Sequence, residues 1–143
     1  HLLYQSHVLV DGLVADAEGR DHLPDDAAQL KTQLLRLADA RQVNLILTTG
    51  GTGFAPRDIT PEVTLSVAER NAPGIAEAMR YHSLTITPRG MLSRAASVLR
   101  GKTLIVNLPG SPKAVQENLE YILPSLEHGV RIAAGLDGEC ARK

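Results

Sequence analysis

Three glycines and one aspartate lie close together in this sequence and could hold a ligand. Gly50, Gly51 and Gly53 follow the apolar run at residues 45–47 and two threonines. Glycine allows positive φ and lets the backbone approach a ligand closely. Asp58 comes next along the chain, so a carboxylate is expected beside open backbone N–H groups. A magnesium ion or a polar ligand suits this combination better than a plain turn does.

The loop matches neither of two familiar phosphate-binding patterns. It lacks the Gly-Lys-Ser/Thr of the P-loop and the Gly-x-Gly-x-x-Gly of dinucleotide-binding proteins. Gly-Gly-x-Gly alone is also compatible with a tight strand-to-helix turn that binds nothing. The added Pro56-Arg57-Asp58 favours a ligand, because it sets a carboxylate beside the glycines.

A second glycine-containing loop, Pro109-Gly110-Ser111, follows another apolar run. Ser111 can cap a helix, and Pro112 suits its first position. The backbone N–H groups at a helix N-terminus favour an anion. An ordinary capped helix without a ligand is the alternative at this position.

The elements that would position these loops are strands followed by helices. Residues 45–47 predict a buried strand, and Thr60-Pro61-Glu62 predicts a helix start with Thr60 as the N-cap. Residues 96–106 predict a hairpin that turns at Gly101, with a very apolar, central second arm. In open α/β sheets, ligands bind at the carboxyl ends of strands. Both loops are therefore expected at one edge of the sheet.

The rest of the chain is predicted to be mainly helical. Asp25 is a good N-cap for a helix with one apolar stripe, formed by Leu30, Leu34, Leu37 and Ala38. Further helices are predicted at residues 61–70, 73–82, 112–123 and 126–134, with an interruption at Pro124. Near the start, residues 6–10 predict a strand and residues 15–20 a loop.

Composition limits the possible partners. The 143 residues suit one domain, and their net charge of −1 implies no strong attraction to nucleic acid or to a membrane. The absence of Trp and the single Phe argue against stacking platforms for nucleic acid. No apolar run approaches the ~18 residues of a membrane span. The single Cys140 fits a cytoplasmic protein. Because residue 1 is His, we expect the sequence to be processed or to be part of a longer one.

Two long motifs resemble one protein family. Residues 48–62 read Thr-Thr-Gly-Gly-Thr-Gly-x-x-Pro-Arg-Asp-x-Thr-Pro-Glu, and residues 107–113 read Asn-Leu-Pro-Gly-Ser-Pro-Lys. Both are similar to motifs of the molybdopterin adenylyltransferases, which include the bacterial Mog and MoaB proteins and the G domain of gephyrin. Pro73-Gly74 and Leu92-Ser93-Arg94 agree with the same family. The resemblance extends from about residue 23 to about residue 132.

The resemblance implies a fold and a reaction. The fold is α/β, with three layers and a mostly parallel sheet flanked by helices on both faces. The reaction is transfer of AMP from magnesium-ATP to the terminal phosphate of molybdopterin, which releases pyrophosphate. The adenylylated product would pass to a separate molybdate-inserting protein or domain. A homotrimer is implied, and neither nucleic acid nor a membrane is expected as a partner.

The resemblance also implies roles for particular residues. Asp25 and Asp58 are the expected catalytic carboxylates and the expected magnesium ligands. The pterin or nucleotide would contact two groups of loop residues: Thr49, Gly50, Gly51, Thr52, Gly53, Pro109, Gly110 and Ser111.

The N-terminal segment departs from the family pattern. Residues 1–24 lack the family's Ser-Asp strand end and its Asp-x-Ser-Gly loop, so we expect a divergent or truncated segment with an incomplete sheet or pocket. Residues 25–134 would form the ligand-binding domain, and residues 135–143 a polar tail. An inactive molybdopterin-binding relative, or a trimeric scaffold, is the alternative function. More distant relatives that share the fold lack this pair of motifs.

Overall fold

The computed structural model describes residues 7–10, 13–16, 19–22 and 27–136, and their backbone forms one sheet with helices against it. The strands are β1 His7–Val10, β2 Leu13–Asp16, β3 Gly19–His22, β4 Leu45–Thr49, β5 Arg70–Asn71, β6 Ser97–Arg100 and β7 Thr103–Leu108. The α-helices are α1 Ala27–Leu35, α2 Thr60–Ser66, α3 Pro73–Leu84 and α4 Pro112–Ala133. A π-helical turn, Arg36–Ala40, extends α1, and a 3-10 helix covers Pro88–Leu92.

The described sheet is mixed, with the strand order β3-β2-β1-β4-β7-β6-β5. Its parallel pairs are β1–β4 and β4–β7, whereas the four other neighbouring pairs are antiparallel. The α/β class is confirmed, but the expectation of a mostly parallel sheet is wrong. Hairpins explain the difference, because short turns such as that at Gly101 can join only antiparallel strands.

The two central strands are buried on both faces. Every residue of β4 and of β7 is buried, as expected for strands covered on both sides. Ile46 and Ile105 pack with α1 and α2 on one face. Leu45 and Leu104 pack with α3 and α4 on the other. Because side chains alternate along a strand, these two apolar runs form two separate cores.

The N-terminal region adds strands where a gap was expected. β1 pairs in parallel with β4, with His7 opposite Leu45, so the described part of β4 has a neighbour on each side. The expected incomplete sheet is therefore not found beside β4. The loop predicted at residues 15–20 is also wrong at the described residues 15–16 and 19–20, which belong to the antiparallel strands β2 and β3. Cross-strand pairing, which local sequence does not encode, supplies the backbone hydrogen bonds.

The helices differ from prediction at two places. α2 ends at Ser66 rather than near residue 70, since Arg70–Asn71 pairs with β6 as β5. Pro124 does not end α4, which continues to Ala133. A buried stripe at a spacing of four residues runs through it: Asn118, Ile122, Leu126 and Val130. Burying Leu126 and Val130 gains about 1.5–3 kcal/mol each, which offsets the ~3 kcal/mol cost of an interior proline.

Other predicted helices are confirmed. Leu30, Leu34, Leu37 and Ala38 are all buried along α1 and its π-helical extension. Asp25 lies outside the described residues, as do residues 137–143 of the predicted tail. Among the described helices, none combines the length and hydropathy that crossing a bilayer would require.

Candidate functional site

The two glycine-containing loops lie side by side at the carboxyl ends of β4 and β7. Thr49 and Leu108 are opposite each other in parallel register. The Gly50 N–H then donates to the Leu108 carbonyl at 3.1 Å. A Cβ added to Gly110 would lie 3.5 Å from the Gly50 Cα, so the loops are in contact. The expectation that both loops share one edge of the sheet is confirmed.

Gly51 lies where a side chain cannot fit. Its φ is +68°, and an added Cβ would lie 2.2 Å from Thr60 Oγ1. The Thr60 N–H donates to the Gly51 carbonyl at 3.2 Å. The N-cap of α2 is Ile59, with no side-chain cap, so the predicted cap at Thr60 is wrong by one residue. The hydroxyl of Thr60 faces the loop instead, and this packing joins the start of α2 to the end of β4.

Asp58 closes the far side of the glycine loop. Its N–H donates to the Ala55 carbonyl at 2.8 Å, and its Oδ2 accepts from the Ala55 N–H at 3.0 Å. A Cβ on Gly53 would lie 2.9 Å from the same Oδ2. Among the described residues, Oδ1 of Asp58 has no hydrogen-bond partner. The carboxylate therefore stabilises its own turn and keeps one oxygen free for a cation or a ligand.

A cavity of about 290 Å³ opens beside the two loops. Its walls come from the glycine loop, α3, the segment before β6 and the start of α4. The described lining is Thr52, Gly53, Met79, Arg80, Ser83, Thr87, Arg89, Gly90, Leu92, Ser93, Ala95, Asn107, Pro109, Ala114 and Asn118.

Only some of the predicted site residues line this cavity. Thr52, Gly53 and Pro109 do. Asp58 and the other predicted loop residues do not line it: Thr49, Gly50, Gly51, Gly110 and Ser111. The structure thus brings the two predicted loops together, and tests no role for Asp25, which is outside the described residues.

The cavity has a cationic lining that the sequence did not reveal. Arg80 and Arg89 line it, and none of its described lining residues is acidic. The Arg80 guanidinium donates to the Ala95 carbonyl at 2.8 Å, so it belongs to the wall. Arg89 is exposed, and its guanidinium has no hydrogen bond to another described residue. An anionic ligand would complement both charges.

The N-terminus of α4 points positive partial charge toward the same cavity. Ser111 Oγ accepts from the Ala114 N–H at 3.1 Å, which confirms Ser111 as the cap. Pro112 occupies the first turn, as predicted. Ala114 lines the cavity. The aligned peptide dipoles of this 22-residue helix favour an anion near its first turn.

Asn107 is a buried site residue that sequence reasoning missed. Its Nδ2 donates to Thr48 Oγ1 and Thr64 Oγ1, both at 2.9 Å. Its Oδ1 accepts from the Ala96 N–H at 3.0 Å. Since Asn107 is fully buried and also lines the cavity, it ties β4, β7 and α2 together behind the ligand space. A polar residue inside an otherwise apolar strand was the available signal.

The described residues offer few protein ligands for a metal. No group of three or more His, Cys, Asp or Glu side chains that could hold a metal occurs within the described residues. Asp58 nevertheless has a free carboxylate oxygen. Magnesium is commonly held by one or two carboxylates together with substrate phosphates and water. The donor set therefore fits a magnesium ion that arrives with a nucleotide rather than a preformed metal site.

Comparisons with known proteins agree on one family. A family model described as "Probable molybdopterin binding domain" matches residues 8–128. Over 100 residues the chain is 49% identical to the molybdopterin adenylyltransferase of Escherichia coli K12, covering 70% of this chain and 51% of that protein. It is 44% identical over 108 residues to gephyrin of Dictyostelium discoideum, covering 76% of this chain and 15% of that one.

A solved structure shows the same architecture. The molybdopterin biosynthesis enzyme MoaB from Thermus thermophilus is similar with a TM-score of 0.75 and 49% identity. The match covers 79% of this chain and 71% of that one. By sequence, the chain spans about half the length of the Escherichia coli adenylyltransferase that it matches.

Proposed function

This chain belongs to the family of probable molybdopterin binding domains, and from that premise we propose that it transfers AMP from ATP to molybdopterin. The observation that supports this most directly is the contact between two glycine loops at the carboxyl ends of β4 and β7. A cavity with arginines and a helix N-terminus lies next to them. Such a site suits a substrate with phosphate groups.

The proposed reaction is a displacement at phosphorus. An oxygen of the molybdopterin phosphate attacks the α-phosphorus of ATP and forms a new P–O bond. The bond to the β-phosphate breaks, and pyrophosphate leaves with its electron pair. A phosphate monoester has a second pKa of about 6, so the attacking oxygen is already ionised near neutral pH. No general base is required, and catalysis depends on positioning and on charge stabilisation.

Each part of the site has a role in this proposal. The loop from Gly50 to Gly53 would let phosphate oxygens approach backbone N–H groups. Arg89, at the cavity wall, would neutralise phosphate charge. Pro109, Gly110 and Ser111 would present the N-terminus of α4 to the second substrate. Holding both substrates in one place removes much of the entropic barrier to reaction.

Asp58 is the proposed magnesium residue among the described ones. Its free Oδ1 would hold magnesium bound to ATP, while Oδ2 stays with the Ala55 N–H. The ion would neutralise charge that develops on the phosphates. Asp25 is proposed as the second acidic residue, from the resemblance alone.

The wider setting is also proposed from family membership. We expect a homotrimer in the cytoplasm whose product is used by a molybdate-inserting protein or domain. Residues 25–134 are proposed as the ligand-binding domain. Equilibrium sedimentation of the purified chain would test the trimer directly, and a monomer at micromolar concentration would contradict it.

Substrate binding and turnover test the main proposal. Titration with magnesium-ATP, followed by amide NMR, should shift the signals of Gly50 to Gly53 first. Incubation with molybdopterin and ATP labelled at the α-phosphate should give labelled adenylyl-molybdopterin and pyrophosphate. A folded protein that shows neither result contradicts the proposal. Binding of molybdopterin without AMP transfer would instead support the inactive or scaffold alternative.

A further inference from the structure

We propose that Arg94 is the positioning residue of the glycine loop: it fixes the loop's shape and, through the backbone, the place of Asp58. The inference deepens the proposed AMP transfer and rests on it for its effect on turnover. Arg94 itself does not line the cavity, so its action on the substrates is indirect.

The contacts of Arg94 converge on one loop. Its backbone N–H donates to the Thr52 carbonyl at 2.9 Å. Its Nε donates to the Gly53 carbonyl at 2.7 Å, and its Nη2 donates to the Asp58 carbonyl at 2.6 Å. One residue therefore holds both arms of the loop, at Thr52–Gly53 and at Asp58.

The loop needs an external donor at these points. Residues 51–59 form no helix or strand, so their carbonyl groups lack the regular partners that such elements provide. A guanidinium offers five N–H donors in a fixed planar fork, which suits two carbonyls approached at once. A lysine ammonium is a point charge on a flexible stem and cannot reproduce this fork.

Glu62 holds the guanidinium in place. Arg94 Nη1 donates to Glu62 Oε2 at 2.6 Å, and Glu62 belongs to the first turn of α2. The same hydrogen bond lowers the pKa of Glu62, because it stabilises the ionised carboxylate. The Arg94 side chain is 33% exposed, so solvent weakens the ion pair. The pair mainly orients the fork, and the two carbonyl contacts shape the loop.

The consequence for the site concerns Asp58. The main-chain oxygen of Asp58 is held by Arg94, and its carboxylate by the Ala55 N–H. Without Arg94, the attachment of the main-chain oxygen is lost, and the Asp58 carboxylate, whose Oδ2 faces Gly53, is no longer fixed in place. A misplacement of about 1 Å can lower turnover by about 10²-fold.

A matched set of variants tests the proposal. R94Q removes the charge and the fork, and R94K keeps the charge without the fork. R100Q is the control, because Arg100 also binds one carboxylate, Asp39, and one backbone carbonyl, that of Val67, but it lies outside the loop and the cavity. Thermal unfolding of all three variants and wild type shows whether each is folded at the assay temperature.

Amide hydrogen exchange is the readout that does not depend on turnover. The N–H groups of Ala55, Asp58 and Thr60 are hydrogen-bonded within the loop. In R94Q and R94K their exchange should accelerate by about 10-fold or more, as expected when charge-assisted hydrogen bonds are lost. R100Q should leave these three amides at wild-type rates. Unchanged exchange at the three amides in R94Q would overturn the proposal.

Turnover is the second readout of the same variants. With saturating magnesium-ATP and molybdopterin, kcat of R94Q and R94K should fall by about 10²-fold, whereas that of R100Q should stay within about two-fold of wild type. Equal losses of kcat in R94Q and R100Q would show a general structural effect and overturn the positioning role. If wild type itself transfers no AMP, the proposed function fails, and the exchange comparison still decides whether Arg94 positions the loop.

Discussion

Two arginines at opposite ends of the central strands use similar chemistry for different purposes. Arg100, beside the amino end of β7, binds both carboxylate oxygens of Asp39 at 2.8 Å and the Val67 carbonyl at 3.1 Å. Arg94, beside the carboxyl ends, binds one carboxylate oxygen and the carbonyls of two loop residues. The first joins the π-helical turn after α1 to the C-cap of α2, whereas the second supplies donors to loop carbonyls that belong to no helix or strand.

Two glycines, one at each end of the central strands, also differ in what the fold requires of them. Gly101 turns the β6–β7 hairpin at φ +54°, and an added Cβ would meet no atom within 4 Å. Gly51 has a similar φ of +68°, yet an added Cβ would meet Thr60. At the hairpin, glycine is needed only for its conformation. At the site it is needed for space as well, because the loop packs closely against α2.

The largest expected effect follows from that contrast. Gly51→Ala should destabilise the fold by about 2–5 kcal/mol, which combines left-handed strain of ~1–2 kcal/mol and overpacking of ~1–3 kcal/mol. Gly101→Ala should cost only the strain, about 1–2 kcal/mol. Urea unfolding of both variants measures the difference. Equal losses of stability in the two variants would mean that Thr60 moves aside freely and that its close contact with Gly51 does not affect stability.

The second-largest effect is expected when a carboxylate loses its charge at the carboxyl ends of the central strands, compared with the same change at their amino ends. Asp58→Asn should lower AMP transfer by about 10²–10³-fold, because the amide loses most of the attraction for magnesium while it can still accept from Ala55. Asp39→Asn is the control and should stay within about two-fold of wild type. Turnover is measured with labelled ATP and molybdopterin. Near-normal turnover of Asp58→Asn would exclude a catalytic role for this residue.

The two ends of β7 also differ in what their buried polar residues hold. Asn107→Ala should destabilise the fold by about 2–3 kcal/mol, since it removes three hydrogen bonds and leaves the Ala96 N–H unsatisfied. Thr103→Val, at the amino end, removes one hydrogen bond to the Val43 carbonyl and should cost about 1 kcal/mol. Chemical denaturation measures the free energy of unfolding of both variants. A smaller loss of stability in Asn107→Ala than in Thr103→Val would show that the hydrogen bonds of Asn107 contribute little.

Acid sensitivity is the smallest expected effect. Hydrogen bonds from Arg94 and Arg100 lower the pKa values of Glu62 and Asp39. A carboxyl with a lowered folded pKa stabilises the protein above its unfolded pKa, and this contribution disappears as pH falls through the folded value. The ordinary pKa values in an unfolded chain are about 4.3 for Glu and about 3.9 for Asp. Stability should therefore begin to decline as the pH falls below these ordinary values.

Melting temperatures between pH 6 and pH 3 check this prediction. Glu62→Gln and Asp39→Asn should each lose less stability on acidification than wild type does. The difference should be slight, because the Glu62 side chain is 57% exposed and solvent screens the pair. Identical pH profiles for wild type and both variants would show that neither pair contributes.

Local signals in the sequence predicted much of the site. The apolar run at residues 45–47 became β4, and the cap at Ser111 became the start of α4. The glycines mark the loops because only they tolerate the required φ and close approaches. These features depend on neighbours within a few residues, so the order of residues along the chain was sufficient to place both loops at one edge of the sheet.

Strand pairing and core packing produced the errors. Residues 15–20 look like a polar loop, but residues 15–16 of β2 pair with residues 19–20 of β3, and each strand supplies the other's backbone partners. Arg70–Asn71 looks like the end of a helix, but pairs with β6. Pro124 looks like a helix break, but the buried stripe of α4 continues past it.

From its residue order alone, this protein's family, its two glycine loops and the likeness to adenylyltransferases could be inferred, because these reside in contiguous motifs. The roles of Arg94 and Asn107 could not. Arg94 reaches Gly53 across 41 positions, and Asn107 reaches Thr48 across 59. Such partners meet only when β4 and β7 pair and α2 packs over them, since folding brings distant polar groups into hydrogen-bond distance and removes competing water.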